Sequence, residues 1–270
     1  MTRVSPDDLA CLDGRILPAS EATIPVTDDG LVRGDGVFEV IRIYDGRPYA
    51  LGDHLQRMGR SFGNLQLEGS FDRDSVEREA HELLAARGGS SFDGCLRIML
   101  TAGGRRILVT EPLPQQAERA RLAYVTYAPT RLLDGVKSLS YAANMLATRV
   151  AKDRGFDEAL LVTPHGRVLE APTSSLFYVN ARGELCTPPL DDHILASITR
   201  ARITELADAV ERVTTTEELL DAREAFLAST TREVQSVAAI EDRELGPVGE
   251  RTLQAADLLR QDIQASLDRA

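Results

Sequence analysis

Apolar and polar positions change period several times along the chain, and each change marks an element. Residues 37–44, VFEVIRIY, alternate with the period of a strand and stop at the turn Asp45-Gly46, after which RPYAL reads as a short second strand. Over HLQRMGRSFGNLQL the period lengthens. Leu55, Met58, Phe62 and Leu65 recur at helical spacing, with Asp53 placed to cap the helix. A second helix is predicted over 73–87, ended by Gly88-Gly89, and CLRIMLT (95–101), RILVT (106–110) and LAYVTY (122–127) return to strand patterning.

The run from Ala128-Pro129 to Asp134-Gly135 is rich in turn residues and reads as a linker over 129–135. It separates a small N-terminal domain, 1–128, from a larger C-terminal domain, 136–270. In the second part a short strand around 136–139 leads to a helix over 141–154 that stops at Gly155, with Lys152 and Arg154 in the last turn, where positive charge suits the helix dipole. DEALLVT, RVLEA and SLFYVN (175–180) read as strands, the first two joined by the turn Pro164-His165-Gly166. Ser197 caps a helix over ITRARITELADAV. EAFLAST (224–230) and a run near 234–240 are strands, and a last helix starts near 250. The pattern is that of an α/β protein of two domains with a cleft between them.

Composition narrows the chemistry. The 270 residues carry a net charge of −11, which disfavours nucleic acid and anionic membranes, because phosphate surfaces require basic footprints. No apolar run approaches the roughly 20 residues that span a bilayer, and MTRVSPDDLA has no signal-peptide core. Cys11, Cys95 and Cys186 show neither metal-ligand spacing nor a disulfide framework, which suits a reducing cytoplasm; the four histidines are scattered, so no metal site is expected. Lysine occurs only at Lys137 and Lys152, the other basic residues being arginine. Chemistry that needs a primary amine therefore has two side-chain candidates.

Lys152 lies at the polar end of an amphipathic helix, where lysine is ordinarily solvated. Lys137 follows Leu132, Leu133 and Val136 and precedes Leu139, and a partly desolvated amine is suited to attack on a carbonyl. Two segments could hold an anion: the helix start at Ser197, with the backbone N–H groups of Ile198 and Thr199, and the hydroxyls of Ser229-Thr230-Thr231 where a strand ends. Glu170 closes an otherwise apolar strand and could pair with a pyridinium nitrogen. Together these residues point to pyridoxal 5′-phosphate (PLP). Arg33-Gly34-Asp35 spells an adhesion tripeptide but runs straight into a strand, and Gly34-x-Gly36 is too short for a dinucleotide fingerprint.

Five ordered blocks carry a resemblance over nearly the whole chain: RGDGVFEVIRIYDG with GDHLQRM; VKSLSYAANMLATRVAKDRGFDEALLV; GRVLEAPTSSLF; TPPLDDHILASITR; and EAFLASTTREVQSV. The chain resembles the class IV, or fold-type IV, PLP-dependent enzymes, which include D-amino acid and branched-chain aminotransferases, aminodeoxychorismate lyases and (R)-amine transaminases. The resemblance implies a small and a large α/β domain with the cofactor at their junction, in at least a homodimer. It implies that Lys137 forms the Schiff base with PLP and moves the substrate proton, and that Glu170 partners the pyridine nitrogen. Arg57 resembles the phosphate-binding arginine, with Ile198 and Thr199 N–H groups and Thr230 or Thr231 hydroxyls completing the cradle; Leu195 would pack on the ring and Tyr141 approach its 3-oxygen.

Departures from the family pattern concern the substrate. The block E-G-x-x-x-N-x-F is here Glu170-Ala171-Pro172-Thr173-Ser174-Ser175-Leu176-Phe177, and the usual glycine before Ile-Thr-Arg is Ser197. Phe38 stands where the D-amino acid enzymes resemble one another in a tyrosine, and their Arg-x-His carboxylate trap is missing from GGRRILVT. Arg33, Arg42, Arg105 and Arg106 are the candidates for a substrate carboxylate, through bidentate pairing. The activity expected is transamination between an amino acid, D-amino acids favoured, and a 2-oxo acid. Branched-chain L-amino acid transfer, aminodeoxychorismate lysis and (R)-amine transamination are the alternatives.

Overall fold

In the computed structural model, which describes residues 8–269, the strand patterns are gathered into two sheets belonging to two compact units. The expectation on MTRVSPDDLA falls largely outside the described residues. The first unit comprises the chain through Gln115, Gly135–Tyr141 and the residues from Ala265. Its strands are β1 (Leu9–Leu12), β2 (Arg15–Pro18), β3 (Gly36–Tyr44), β4 (Arg47–Pro48), β5 (Gly94–Thr101) and β6 (Arg106–Glu111), all antiparallel, in the order β2-β1-β6-β5-β3-β4. Its helices are α1 (Asp29–Val32), α2 (Leu51–Asn64) and α3 (Arg73–Arg87).

Alternation in β3 sends Val37, Glu39, Ile41 and Ile43 to one face, where Leu55 and Met58 of α2 are fully buried. Burial of each such side chain stabilises the fold by about 1.5–3 kcal/mol. The buried stripe of α2 then turns to His54, Arg57 and Ser61, leaving Phe62 half-buried against Phe71. The helix starts earlier than its apolar spacing predicts: its N-cap is Ala50 in the left-handed region, and Asp53 sits in the first turn. RPYAL is therefore strand only at Arg47–Pro48, because the chain must turn into α2.

The second unit comprises Gln116–Asp134 and Ala142–Gln264. It contains β7 (Ala120–Thr126), α4 (Ala142–Asp153), β8 (Glu158–Val162), β9 (Ser175–Val179), β10 (Leu185–Thr187), α5 (Ile198–Leu206), β11 (Val210–Glu211), α6 (Thr216–Leu220), β12 (Glu224–Ser229), β13 (Glu233–Ile240) and β14 (Arg243–Glu244). A final helix, α7, spans Glu250–Leu267. Strand order is β11-β10-β9-β12-β13-β7-β8, with β14 paired to β13. The fully buried strands β8 and β9 lack polar alternation, as strands covered on both faces do.

The two units are not the two sides of a cut at 129–135. β7, read from the N-terminal side, pairs in parallel with both β8 and β13, and Gly135–Tyr141, read as the end of the linker and the start of the C-terminal side, groups with the first unit. Turn-rich composition marks the crossing but not the pairing partners. Two expected strands are absent as strands: 136–139 makes a single bridge, Val37 to Ser138, and RVLEA makes isolated bridges at Arg167, Val168 and Ala171 without a ladder. Ser197 caps α5 as its sequence implies, its hydroxyl accepting from the Arg200 N–H.

Candidate active site

Lys137 is held by backbone before its side chain does anything. Its N–H donates to the Ser61 hydroxyl of α2 at 3.1 Å, its carbonyl accepts from the Phe38 N–H at 3.0 Å, and Leu139 donates to the Gly36 carbonyl at 2.9 Å. Residues 137–139 thus line the N-terminal half of β3, on the edge that β5 leaves uncovered. Their close approach explains the glycines of Gly34-x-Gly36. Gly36 has φ +157°, and a Cβ there would lie 2.4 Å from the Leu100 carbonyl oxygen and 2.7 Å from Leu139; a Cβ on Gly34 would press on Ser140. The Lys137 ammonium lies 4.5 Å from the centroid of the Phe38 ring and 5.8 Å from that of Tyr141, and the two rings meet edge to face at 5.2 Å. Lys152 is exposed in the last turn of α4.

On the opposite face of β3 stands a group that the sequence reading missed. Glu39, fully buried, accepts from Arg57 at 2.7 and 2.6 Å and from His54 at 2.7 Å. Burial pushes the carboxyl up, but the hydrogen bonds from Arg57 and His54, with their charges, outweigh it and hold Glu39 at about 2. Burial lowers the His54 imidazole; Glu39 opposes this, while the Arg57 and Lys137 charges add to it. An ionised Glu39 can only accept, so Nδ1 of His54 carries the proton. The signal was present in the sequence: alternation puts a carboxylate on the core face of β3, and His54-x-x-Arg57 brings two partners to one helix face.

Each of the four arginines proposed for a substrate carboxylate is paired with an acidic side chain of the protein. Arg33 pairs with Asp29 at 2.9 Å in an exposed position. Arg42 bonds Asp93 at 2.7 Å and the Ile43 and Gly94 carbonyls, and stacks on Tyr44. Arg105 pairs with Asp13 and Arg106 with Glu79 of α3. Instead the Phe38 ring has Arg97 beside it, the guanidinium carbon 5.7 Å from its centroid. Sequence gave no reason to single out Arg97.

The second unit holds another set. Glu170 lies in an extended segment against β8, where Leu161 donates to its carbonyl, and its carboxylate accepts from the Leu195 N–H at 3.1 Å. Burial and then the charge of Glu170 raise the Tyr127 hydroxyl. The segment that carries Leu195 is tied down by His193 to Asp134 at 2.6 Å and by Arg167 to the buried Asp192 at 2.5 Å. Ile198 and Thr199 occupy the first turn of α5, where N–H groups have no partner within the helix, and Ser197 takes only that of Arg200. Thr230 and Thr231 form the turn between β12 and β13, and their hydroxyls have no partner among the described residues. Arg232 anchors this turn by its ion pair with Glu158 at 2.6 Å and its bond to Gln235, and Thr148 completes Glu158.

A model of the family described as amino-transferase class IV matches residues 36–240. The chain belongs to the class IV aminotransferases. It is 31% identical over 255 residues to a D-alanine aminotransferase of Bacillus licheniformis, covering 87% of this chain and 89% of that one. It is 32% identical over 266 residues to a putative branched-chain-amino-acid aminotransferase of Methanocaldococcus jannaschii, covering 89% and 91%. The solved structure of a 4-amino-4-deoxychorismate lyase from Pseudomonas aeruginosa superposes with a TM-score of 0.81 at 31% identity, over 94% of this chain and 99% of that one. This places the fold among the fold-type IV enzymes. Class IV aminotransferases use PLP and exchange amino groups between amino acids and oxo acids. The residues present fit the cofactor chemically: the Glu170 carboxylate can accept from a protonated ring nitrogen, and the first-turn N–H groups of Ile198 and Thr199, with the Thr230 and Thr231 hydroxyls that have no partner among the described residues, suit a phosphate. The buried Ser174 and Ser175 hydroxyls beside the Glu170 turn also have no hydrogen-bond partner among the described residues.

Proposed function

We propose that the protein is a PLP-dependent transaminase that moves an amino group between a D-amino acid, such as D-alanine or D-glutamate, and a 2-oxo acid such as pyruvate or 2-oxoglutarate. The observation that carries the reading is Lys137, the one amine whose backbone is fixed to β3 and α2 and whose Nζ stands over Phe38 and Tyr141. Bound PLP supplies an electron sink for the bond broken at the substrate Cα. Lys137 holds the cofactor aldehyde and carries the proton to and from Cα. Glu170 keeps the ring nitrogen protonated; the Leu195 N–H holds that carboxylate in place, and the Leu195 side chain supports the ring. Arg57, the α5 N–H groups and Thr230 or Thr231 take the phosphate, and Tyr141 the 3-oxygen. Glu39 and His54 fix the guanidinium of Arg57.

The KSLS…N…LA pattern and the Glu170 block support D-preference. The apolar pair Phe38 and Tyr141 beside Lys137 supports the second reading, branched-chain L-amino acid transfer. A homodimer in the cytoplasm belongs to the same proposal, which three buried free thiols suit. Protein loaded with PLP is expected to be yellow, with a visible band that Lys137→Ala abolishes and Lys152→Ala leaves. Half-reactions with D-alanine, D-glutamate, L-leucine and (R)-1-phenylethylamine then read the donor class from the loss of that band. Bleaching by L-leucine alone would overturn the D-preference, and a colourless protein the transaminase reading.

A further inference from the structure

We propose that Glu111 is a specificity-determining residue that turns this enzyme away from substrates with a distal carboxylate, so that its amino acids carry uncharged side chains. The inference rests on the transaminase reading and narrows its substrate. Strand register places Phe38 of β3, Arg97 and Met99 of β5, and Val109 and Glu111 of β6 on one face: Phe38 opposes Met99, Arg97 opposes Val109, and Glu111 is the diagonal neighbour of Arg97. On that face Phe38 has two cations beside its ring, Lys137 at 4.5 Å and Arg97 at 5.7 Å. An arginine against the same ring as the amine that would hold the cofactor is placed to read a substrate side chain. It is already neutralised. Arg97 Nε donates to Glu111 Oε1 at 2.6 Å and Nη2 to Oε2 at 2.9 Å, a side-on bidentate pair.

The pair is half-open, with the arginine side chain 32% and the glutamate 17% exposed, so a ligand can meet it. A carboxylate arriving there finds the Nε–Nη2 edge of the guanidinium occupied and, on whatever donors it reaches, the Glu111 carboxylate beside it. It must displace Glu111 or accept like-charge repulsion in a partly desolvated place. A methyl, alkyl or hydroxyl-bearing side chain meets no such opposition and lies against Phe38, Met99 and Val109. Glutamate and 2-oxoglutarate are thereby disfavoured relative to alanine and pyruvate.

The test titrates PLP-loaded protein by calorimetry with glutarate and with pentanoate, which match in length and differ in the distal charge. Wild type is expected to bind glutarate no more tightly than pentanoate. Glu111→Gln, which keeps the shape and removes the competing charge, should shift the ratio toward glutarate by about tenfold, the order of one charge-assisted hydrogen bond. The double variant Arg97→Met/Glu111→Gln should lose that shift. Wild type that prefers glutarate tenfold or more, wild type that binds neither acid, or a folded Glu111→Gln protein with an unchanged ratio each overturn the inference. Should Glu111→Gln not fold, the wild-type ratio decides alone. Protein that takes up no PLP overturns the transaminase reading and this inference with it, whereas PLP uptake with a glutarate preference overturns only the inference.

Discussion

Glu39 concentrates at one residue the cost and the benefit of a buried charge. Alone it would be expelled or protonated; with Arg57 and His54 bonded to it, it is ionised at any pH above about 2. Its folded value lies below the ordinary carboxylate value of 4.5, so its contribution to stability is fully present above about pH 4.5 and is lost as pH falls toward 2. That contribution is about 3 kcal/mol. The depressed His54 acts in the same direction from higher pH, since unfolding in acid lets the ring take up a proton. Glu39→Gln should therefore melt lower than wild type at pH 7, by the equivalent of about 3 kcal/mol, and lose less between pH 4.5 and 2. Thermal melts across that range measure both; parallel wild-type and variant curves would show that Glu39 is not the group titrating.

Among the elements, β3 does the most for the candidate site, because its two faces and its free edge serve different residues. One face carries Glu39 to α2, the other Phe38 to Arg97 and Lys137, and the edge receives residues 137–139. The edge contact needs Gly36, where any Cβ would strike backbone. Gly36→Ala should cost about 2–3 kcal/mol and weaken PLP retention by displacing Lys137. Gly63→Ala in α2 makes the contrast: nothing lies within 4 Å of the added methyl, and the change should be neutral or stabilise by up to about 1 kcal/mol. Melting temperatures that fell equally in the two variants would refute this account. Most elements were legible from period alone: β3, α3, β5, β6, β9 and β12 lie where their patterns put them, and the Ser197-capped α5 starts where expected but ends at Leu206, short of ADAV, whose Val210 enters β11. The misses share a physical cause. RPYAL, 136–139 and RVLEA have strand-like composition, but each follows or precedes a turn that leaves it too few partners for a ladder. Among the site residues, the sequence marked Lys137 by its rarity, while Arg97 is one arginine among 29 until register sets it beside Phe38.

For the whole molecule, chain order and spatial grouping diverge. The first unit borrows Gly135–Tyr141 from beyond the turn-rich crossing, and β7 on the near side pairs only with strands that come after it. No single cut yields either unit complete. A fragment of residues 1–128 would have β7 without β8 or β13 and β3 with a bare edge, two unpaired strand templates. It should aggregate or elute as misfolded species on size-exclusion chromatography, whereas the full chain gives a discrete peak. A monomeric fragment with a cooperative melt would mean that the first unit stands without residues 135–141.

Two lysines in 270 residues, one half-buried at 137 and one exposed at 152, also make the protein unusually simple to address chemically. If Lys137 holds PLP as proposed, an amine-reactive dye or resin meets a single lysine side chain, Lys152, at the far end of α4. Among side chains, labelling and attachment are then confined to one position without introducing any new residue, and a mass increment on the peptide that contains Lys152, beside that on the α-amine, would report it.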